Sequence, residues 1–194
     1  MIGIIDYGAG NTASVENVLL QLGYDFKVVK TEFEIINCEK IILPGVGEAS
    51  FAIKRLHLNN LVNYLRIIKK PLLGICLGMQ LLADSSQEGN VKCLGIIDSE
   101  VKKFQGDIKI PHMGWNSIEI KSESKLLQGI ESGTYFYFAN SFYLPVNKFT
   151  VATTNYLFDF TSVAEKENYY GVQFHPEKSG ENGIRIIKNF VELC

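Results

Sequence analysis

The segment LGICLGMQLL, residues Leu73–Leu82, carries the most structural information in this chain. The apolar run Pro71–Ile75 has the pattern of a buried strand, and the residues from Leu77 to Ala83 favour helix. Cys76 lies between them, with one glycine two residues before it and another two residues after it. This Gly-x-nucleophile-x-Gly spacing is typical of the nucleophile elbow of α/β hydrolytic enzymes. The segment therefore predicts a strand, a sharp turn and a helix, with the thiol at the turn.

Two interpretations of Cys76 are open from this segment. Free cysteines are most often small buried side chains of a core. At a strand-to-helix turn, however, the sulfur points to solvent at a helix N-terminus, where the partial positive charge favours the thiolate. Gly74 and Gly78 keep side chains from colliding around such a strained turn. The two glycines therefore favour a catalytic cysteine.

Composition and charge narrow the class of protein. A length of 194 residues fits one domain with a sizeable core, so we expect residues 1–194 to form a single domain. The formal net charge of -2 gives no electrostatic reason to expect nucleic acid or an anionic membrane as a partner. No apolar run reaches the length of a membrane span, and MIGIIDYG has the pattern of a strand and a turn rather than of a signal peptide. We therefore expect a cytoplasmic protein.

Cysteine and histidine spacing argues against disulfides and metal. The residues concerned are Cys38, Cys76, Cys93, Cys194, His57, His112 and His175. No two cysteines form a CxxC pair, and a chain of this length needs no disulfide. The scattered histidines do not suggest a zinc site. We expect reduced thiols, no metal and no cofactor.

Strand and helix patterns alternate in the first part of the chain. Ile2–Ile5, Phe26–Val29 and Lys40–Leu43 have the pattern of buried strands. Asn11 can cap a helix that runs to about Leu22. Such alternation indicates a parallel sheet with helices on both faces.

Later segments indicate added strands and a last helix. Ala49–Arg55, Asn59–Lys69 and Gly183–Glu192 are predicted to be helical, and Ser85–Asn90 to be a polar loop. Short strands are predicted near Glu100–Phe104, Asn116–Ile120, Thr134–Phe138, Thr150–Asn155, Thr161–Lys166 and Tyr169–Gln173. The predicted fold class is α/β, with a mostly parallel central sheet, helices on both faces and added antiparallel strands.

Two further segments remain open on their own residues. Pro44–Ser50, PGVGEAS, follows a predicted strand at the sheet edge where ligands bind. Its glycines suit an oxyanion hole and equally an ordinary turn. Pro111–Asn116, PHMGWN, holds the only tryptophan, and on its own residues it can be a plain loop in which Trp115 packs inward.

A possible base and its orienting group follow the last predicted strand. His175, Pro176 and Glu177 are consecutive, and residues i and i+2 of an extended segment project to the same side. Glu177 can then hold one ring nitrogen of His175 while the other faces a nucleophile. A histidine before proline can also be a plain loop residue. With a cysteine elbow in the same chain, a Cys-His-Glu triad is the better hypothesis.

Taken together, the motifs LGICLGMQLL, PGVG, PHMGWN and GVQFHPEKSG resemble the class I (triad) glutamine amidotransferases. More narrowly, they resemble the glutaminase subunits of imidazole glycerol phosphate synthases. The likeness extends from DYGAGN to the last helix and implies a flavodoxin-like α/β fold. It implies that Cys76 attacks the amide carbon of L-glutamine, that His175 moves the protons and that Glu177 orients His175.

The same resemblance implies the surrounding site. The backbone N–H of Leu77 and the peptide of Gly45 and Val46 would form the oxyanion hole. The residues implied to bind glutamine are Gly47, Gln80, Glu88, Ser141 and Phe142. A carboxylate such as that of Glu88 can meet the ammonium of the substrate.

Family members of this kind deliver ammonia to a partner. The resemblance implies a heterodimer with a (βα)₈-barrel cyclase that makes imidazole glycerol phosphate and aminoimidazole carboxamide ribotide in histidine biosynthesis. The residues that match the subunit boundary are Asn11, Trp115, Asn116 and Lys178. The chain departs from the family pattern at Asn140, where histidine is usual, and at Phe142, where tyrosine is usual. A paralogous subunit that feeds a nucleotide-sugar amidotransferase in surface-glycan biosynthesis is therefore the alternative.

Overall fold

The computed structural model describes residues 1–8 and 10–194. Within these residues the strands are β1 Ile2–Ile5, β2 Phe26–Val29, β3 Lys40–Gly45, β4 Leu72–Cys76, β5 Ala83–Ser86, β6 Val91–Lys92, β7 Ile97–Lys103, β8 His112–Ser117, β9 Glu119–Ile120, β10 Tyr135–Asn140, β11 Phe142–Pro145, β12 Thr150–Tyr156, β13 Phe158–Lys166 and β14 Tyr169–Val172. The helices are α1 Thr12–Leu22, α2 Glu32–Ile36, α3 Ala49–Leu58, α4 Leu61–Ile67, α5 Leu77–Gln80 and α6 Gly180–Leu193, with a 3₁₀ turn at Pro176–Lys178.

A large mixed sheet carries the site. Its strand order is β2-β1-β3-β4-β14-β13-β11-β7-β5-β6, with β12 and β9 paired off this path. The neighbours from β2 to β14 are all parallel. Beyond β14, the strands β13, β11 and β7 pair antiparallel in turn. Strands β8 and β10 form a separate antiparallel pair. This arrangement confirms the predicted α/β class with a mostly parallel central sheet and added antiparallel strands.

Alternate residues of the central strands enter two different cores. Ile4 of β1 packs in a core with Leu19 of α1 and Ile187 of α6. Its neighbour Ile5 belongs to the other core, which includes Leu56 of α3. Because successive side chains of a strand point to opposite faces, both faces of the parallel sheet are covered by helices. Each fully buried side chain of this kind contributes about 1.5–3 kcal/mol.

The first helix begins and ends where its sequence predicts. The side chain of Asn11 accepts a hydrogen bond from the backbone N–H of Ser14, and the chain turns at Gly23 with φ of 75°. That conformation favours glycine because it carries no Cβ. Across the part of the chain that the structure covers, no helix combines the length and the apolar character needed to cross a bilayer.

The predictions for the two segments that follow Cys76 are wrong. The helix after Cys76 ends at Gln80, and Ala83 begins strand β5, because Ala83 pairs with Ile97 of β7. Sheet pairing here overrides the helix propensity of the segment. The polar loop predicted from Ser85 accordingly begins only after β5.

PHMGWN is a strand rather than a loop. Residues His112–Ser117 form β8, and Trp115 pairs directly with Tyr137 of β10. The ladder explains the extended conformation of a segment that contains glycine. The indole is also not turned inward, since Trp115 is 56% exposed.

Candidate active site

The turn at Cys76 has the strained geometry that the sequence predicts. Strand β4 is buried along its length and ends at Cys76, and α5 begins at the next residue. The backbone of Cys76 has φ of 53° and ψ of -108°, a conformation that side-chain-bearing residues rarely adopt. The helix is only one turn long, so its summed dipole is small. A thiolate at Cys76 must therefore be stabilised mainly by a neighbouring positive charge.

The flanking glycines make room for backbone rather than for side chains. A Cβ at Gly78 would overlap the carbonyl oxygen of Leu43 in β3. A Cβ at Gly74 would lie 2.6 Å from the carbonyl of Gly78. The turn thus depends on a close approach of α5 to strands β3 and β4.

Replacing Gly78 by alanine is expected to destabilise the protein by more than about 3 kcal/mol, because rigid backbone blocks the added methyl group. Gly133→Ala is the matched control. Gly133 also has positive φ, 88°, but a Cβ there meets no described atom within 4 Å. Gly133→Ala should lower the free energy of unfolding by only about 1–2 kcal/mol. Urea unfolding of both variants measures the difference, and equal losses would contradict the close-approach argument.

His175 and Glu177 lie beside this turn. Strand β14 is the parallel neighbour of β4, and the chain reaches His175 three residues after it ends. The Nδ1 atom of His175 lies 2.8 Å from Oε1 of Glu177, and both side chains are almost completely buried. The sequence suggested an extended segment between these two residues, and the structure does not show one. Pro176 instead begins a 3₁₀ turn, where its fixed φ is favourable.

This turn is anchored to strand β10. The hydroxyl of Ser179 donates to the carbonyl of His175 at 2.6 Å and accepts from the backbone N–H of Tyr137 at 2.9 Å. The backbone N–H of His175 donates to the carbonyl of Tyr137 at 2.8 Å. Hydrogen bonds therefore hold His175 both at its backbone and at the Nδ1 atom of its ring.

The imidazole carries a proton at neutral pH. Burial alone would lower the pKa of His175. Hydrogen bonds and charge attraction from Cys76 and Glu177 outweigh burial and raise this pKa to about 10. The ring thus supplies the positive charge that a thiolate at Cys76 needs.

A pocket of about 240 Å³ opens onto Cys76 and His175. Most of the residues that the sequence assigned to catalysis or glutamine binding line it. These lining residues include Val46, Gly47, Cys76, Leu77, Gln80, Glu88, Ser141, Phe142 and His175. Gly45 adjoins the pocket as the direct strand partner of Cys76. Segments that are distant in sequence therefore meet at one small cavity.

Comparison with known proteins identifies the family. The model of the family described as "Glutamine amidotransferase class-I" matches residues 3–194. The chain belongs to this family. It is 47% identical over 197 residues to "Imidazole glycerol phosphate synthase subunit HisH 1" of Vibrio vulnificus, covering 98% of this chain and 97% of that protein. It is 44% identical over 192 residues to the subunit HisH of Escherichia coli, covering 98% of each chain.

Solved structures agree on the fold. A crystal structure described as glutamine amidotransferase has a TM-score of 0.77 at 18% identity, covering 99% of this chain and 97% of that one. A chain in the structure of PurLQS from Thermotoga maritima has a TM-score of 0.72 at 16% identity, covering 98% of this chain and 96% of that one. These structures confirm the predicted fold class, whereas the family match and the full-length relatives confirm the predicted family and glutamine amidotransferase activity.

A residue that no sequence pattern singled out lies next to the nucleophile of this amidotransferase. Gln173 is fully buried, and its amide nitrogen lies 3.6 Å from the sulfur of Cys76. Its amide oxygen accepts a hydrogen bond from Nε2 of Gln80 at 2.9 Å. Its place within GVQFHPEKSG, two residues before His175, was the available signal, because alternate strand residues share a face.

Glu88 places a carboxylate at the rim of the pocket. Its Oε2 atom accepts a hydrogen bond from the backbone N–H of Ala49 at 2.9 Å. The pKa of Glu88 is raised above its ordinary value. Burial is the main cause, the hydrogen bond from Ala49 opposes it, and the negative charge of Glu48 adds to it. A cationic ligand group at this rim would be favoured by the same carboxylate.

The residues expected at a subunit boundary lie outside the catalytic pocket, except Lys178, which also lines it. Trp115 is exposed and meets Tyr137 edge-on, with ring centroids 6.2 Å apart. The ammonium of Lys178 lies 5.9 Å from the centre of the same Tyr137 ring. Asn116 is half-buried, and Asn11 caps α1. Trp115, Tyr137 and Lys178 thus form one cluster beside the pocket.

Proposed function

We propose that this chain is the glutaminase subunit of an imidazole glycerol phosphate synthase, which hydrolyses L-glutamine to glutamate and ammonia. The observation that carries the proposal is the pocket shared by Cys76 and His175, with Glu177 bonded behind the imidazole. The 44–47% identity to relatives named as that subunit, over nearly the whole chain, supports the same assignment.

In the proposed reaction, the thiolate of Cys76 attacks the side-chain amide carbon of glutamine. His175 gives its proton to the leaving nitrogen, and ammonia departs to leave a glutamyl thioester. The neutral imidazole then takes a proton from water, which attacks the thioester carbon. Glutamate leaves, and the thiolate and the imidazolium are restored. Glu177 keeps Nδ1 of His175 bonded throughout, so that the other ring nitrogen faces the sulfur.

The oxyanion hole is proposed at the backbone N–H of Leu77 and the peptide of Gly45 and Val46. Gly45 lies directly across from Cys76 in the β3–β4 ladder, which supports this placement. Removing one such donor typically costs about 10²–10³ in rate. The carboxylate of Glu88 is proposed to bind the ammonium of glutamine. The remaining proposed contacts to glutamine are Gly47, Gln80, Ser141 and Phe142.

The proposed partner is a (βα)₈-barrel cyclase that receives the ammonia within a heterodimer. The proposed contact surface includes Asn11, Trp115, Asn116 and Lys178. The exposed indole of Trp115, beside the Tyr137 ring, supports a binding surface here, since aromatic side chains are enriched at protein interfaces. We further propose a single domain over residues 1–194, a cytoplasmic location, and catalysis without metal or cofactor.

A paralogous role, ammonia supply to a nucleotide-sugar amidotransferase, is the second candidate. Asn140 and Phe142 favour it, because both depart from the pattern of the histidine pathway. Since the identity of 44–47% to subunits of imidazole glycerol phosphate synthase extends over nearly the whole chain, we retain the histidine pathway as the main proposal.

Adding the cognate cyclase with its nucleotide is expected to raise the glutaminase rate by about tenfold or more, the size typical of coupling between sites. Ammonia release measured with and without the partner tests this. Trp115→Ala should lose the stimulation and keep the basal rate, because the indole lies outside the catalytic pocket. An isolated chain that is as fast as the complex would indicate a stand-alone hydrolase instead.

A further inference from the structure

Among the four buried side-chain atoms that have no hydrogen-bond partner in the described residues, two belong to residues that face each other in one strand pair. They are Nδ1 of His112 in β8 and Oδ1 of Asn140 in β10. Their residues are direct partners in the antiparallel β8–β10 ladder, so the two side chains project from the same face. The His112 ring also stacks on Phe138, two residues before Asn140, with centroids 5.0 Å apart. The two unpartnered atoms therefore belong to neighbouring side chains.

The contacts of Asn116 identify which nitrogen of His112 carries the hydrogen. The amide nitrogen of Asn116 donates to the carbonyl of Asn155 at 3.0 Å, and its amide oxygen accepts from the backbone N–H of Ser117 at 2.8 Å. The same amide nitrogen lies 3.2 Å from Nε2 of His112, so Nε2 must accept. Burial lowers the pKa of His112 to about 4 and keeps the ring neutral. Nδ1 is then an N–H donor.

The contacts of Asn140 identify its free atom in the same way. Its amide nitrogen donates to the carbonyl of Phe142 at 2.9 Å, and a carbonyl can only accept. The unpartnered Oδ1 of Asn140 is therefore an acceptor. His112 offers a free donor where Asn140 offers a free acceptor, and leaving both unpaired in the interior is unfavourable.

The Phe142 carbonyl connects this pair to the nucleophile. It accepts a second hydrogen bond, from Nε2 of Gln80 at 2.9 Å. Gln80 also donates to Oε1 of Gln173, whose amide nitrogen faces the sulfur of Cys76. Asn140 and Phe142 both line the pocket. The position of this carbonyl therefore sets the wall against which a substrate must fit.

We propose that Asn140 is a positioning residue for the substrate pocket, held by a hydrogen bond from Nδ1–H of His112. The bond forms directly after a small side-chain rotation or through one ordered water molecule. It fixes the Phe142 carbonyl and, through Gln80, the pocket wall next to Cys76. It also ties that wall to Asn116 on β8. The kinetic part of this inference rests on the proposed glutaminase function, whereas the hydrogen-bonded pair does not.

Steady-state glutamine hydrolysis tests the positioning role. Asn140→Leu and His112→Phe keep the approximate outline of each side chain, with some added volume, and remove the bond. Each should raise KM for glutamine about 2- to 12-fold, the size of one net hydrogen bond, with a smaller change in kcat. The double variant should match the worse single variant, because both substitutions break the same bond.

Asn189→Leu is the matched control. Asn189 is also a buried asparagine whose amide donates to backbone carbonyls, those of Leu126 and Gln128, but it lies on α6 outside the pocket. Its replacement should lower stability and leave KM unchanged. An unchanged KM in Asn140→Leu, or a control that raises KM equally, overturns the positioning role. Multiplying effects in the double variant overturn the pairing with His112.

Nitrogen-15 NMR of the wild-type chain tests the pair without any assay of activity. We expect the neutral His112 ring to carry its hydrogen on Nδ1, with a signal that shifts in Asn140→Leu. A hydrogen on Nε2, or a Nδ1–H signal indifferent to that substitution, overturns the pair. If the wild-type chain releases no ammonia from glutamine, the proposed function fails, and the NMR result still decides the pair.

Discussion

Cys76→Ala is expected to lower ammonia release from glutamine by at least about 10⁴-fold, because no other group can form the covalent thioester. The sulfur is small and lies at the pocket surface, so its loss leaves the pocket walls in place. Binding of the partner should be retained. A single-turnover assay for ammonia, with a pull-down of the cyclase, measures both.

Cys93→Ala is the control for this substitution. Cys93 is also a buried free thiol, but burial raises its pKa to about 12, so it holds its proton at neutral pH. It does not line the pocket, and its replacement should leave the rate near that of the wild type. Turnover near the wild-type rate in Cys76→Ala would refute Cys76 as the nucleophile.

Glu177→Gln is expected to lower kcat by about 10²–10⁴, within the range seen when the group that orients a catalytic histidine is neutralised. The variant preserves the shape of the side chain but removes its negative charge. The hydrogen bond that Nδ1–H of His175 donates to Oε1 then no longer fixes which ring nitrogen holds the hydrogen. A rate equal to the wild type would assign Glu177 to structure alone.

The same substitution should also change the pH dependence of stability. Because the folded pKa of His175 is raised to about 10 from an ordinary value of 6.5, its protonation stabilises the folded chain fully below pH 6.5. This contribution is lost as pH rises towards 10. Without the attraction of Glu177 the folded pKa must fall, so the loss should occur at lower pH. Urea unfolding between pH 6 and 10 measures the shift.

Glu165→Gln provides the control carboxylate. Glu165 is also substantially buried, burial raises its pKa, and its carboxylate bonds to the hydroxyl of Ser124 outside the pocket. Its replacement should leave both kcat and the titration of His175 unchanged. An equal loss of rate would mean that removing any buried charge slows the enzyme.

Segments with strong local signals were predictable from sequence. Phe26–Val29 is observed with the predicted bounds, and α1 runs from its asparagine cap to its glycine. The helix α2 was missed, although Thr31 and Glu34 form a capping box that local rules could have found. Strand β8 and the early end of α5 depend on partners far away in sequence, and local patterns do not contain that information.

In the site, too, features with a local sequence signal were predictable and features that depend on the folded chain were not. The motif around Cys76 and the spacing of His175 and Glu177 identified the family, and the chemistry then followed from the residue types. For the contact of Gln173 with the sulfur, the spacing from His175 was the only signal in the sequence, and for the facing atoms of Asn140 and His112 there was none. They arise from side-chain rotamers and strand register, which only the folded chain determines.

Because β14 lies between β4 and β13, the active site can form only late in translation. When translation has reached Lys166, Cys76 has already left the ribosome. Strand β14, which lies between β4 and β13 in the folded sheet, has not yet been synthesised. We therefore expect nascent chains not to hydrolyse free glutamine, since His175 follows the closing strand in sequence.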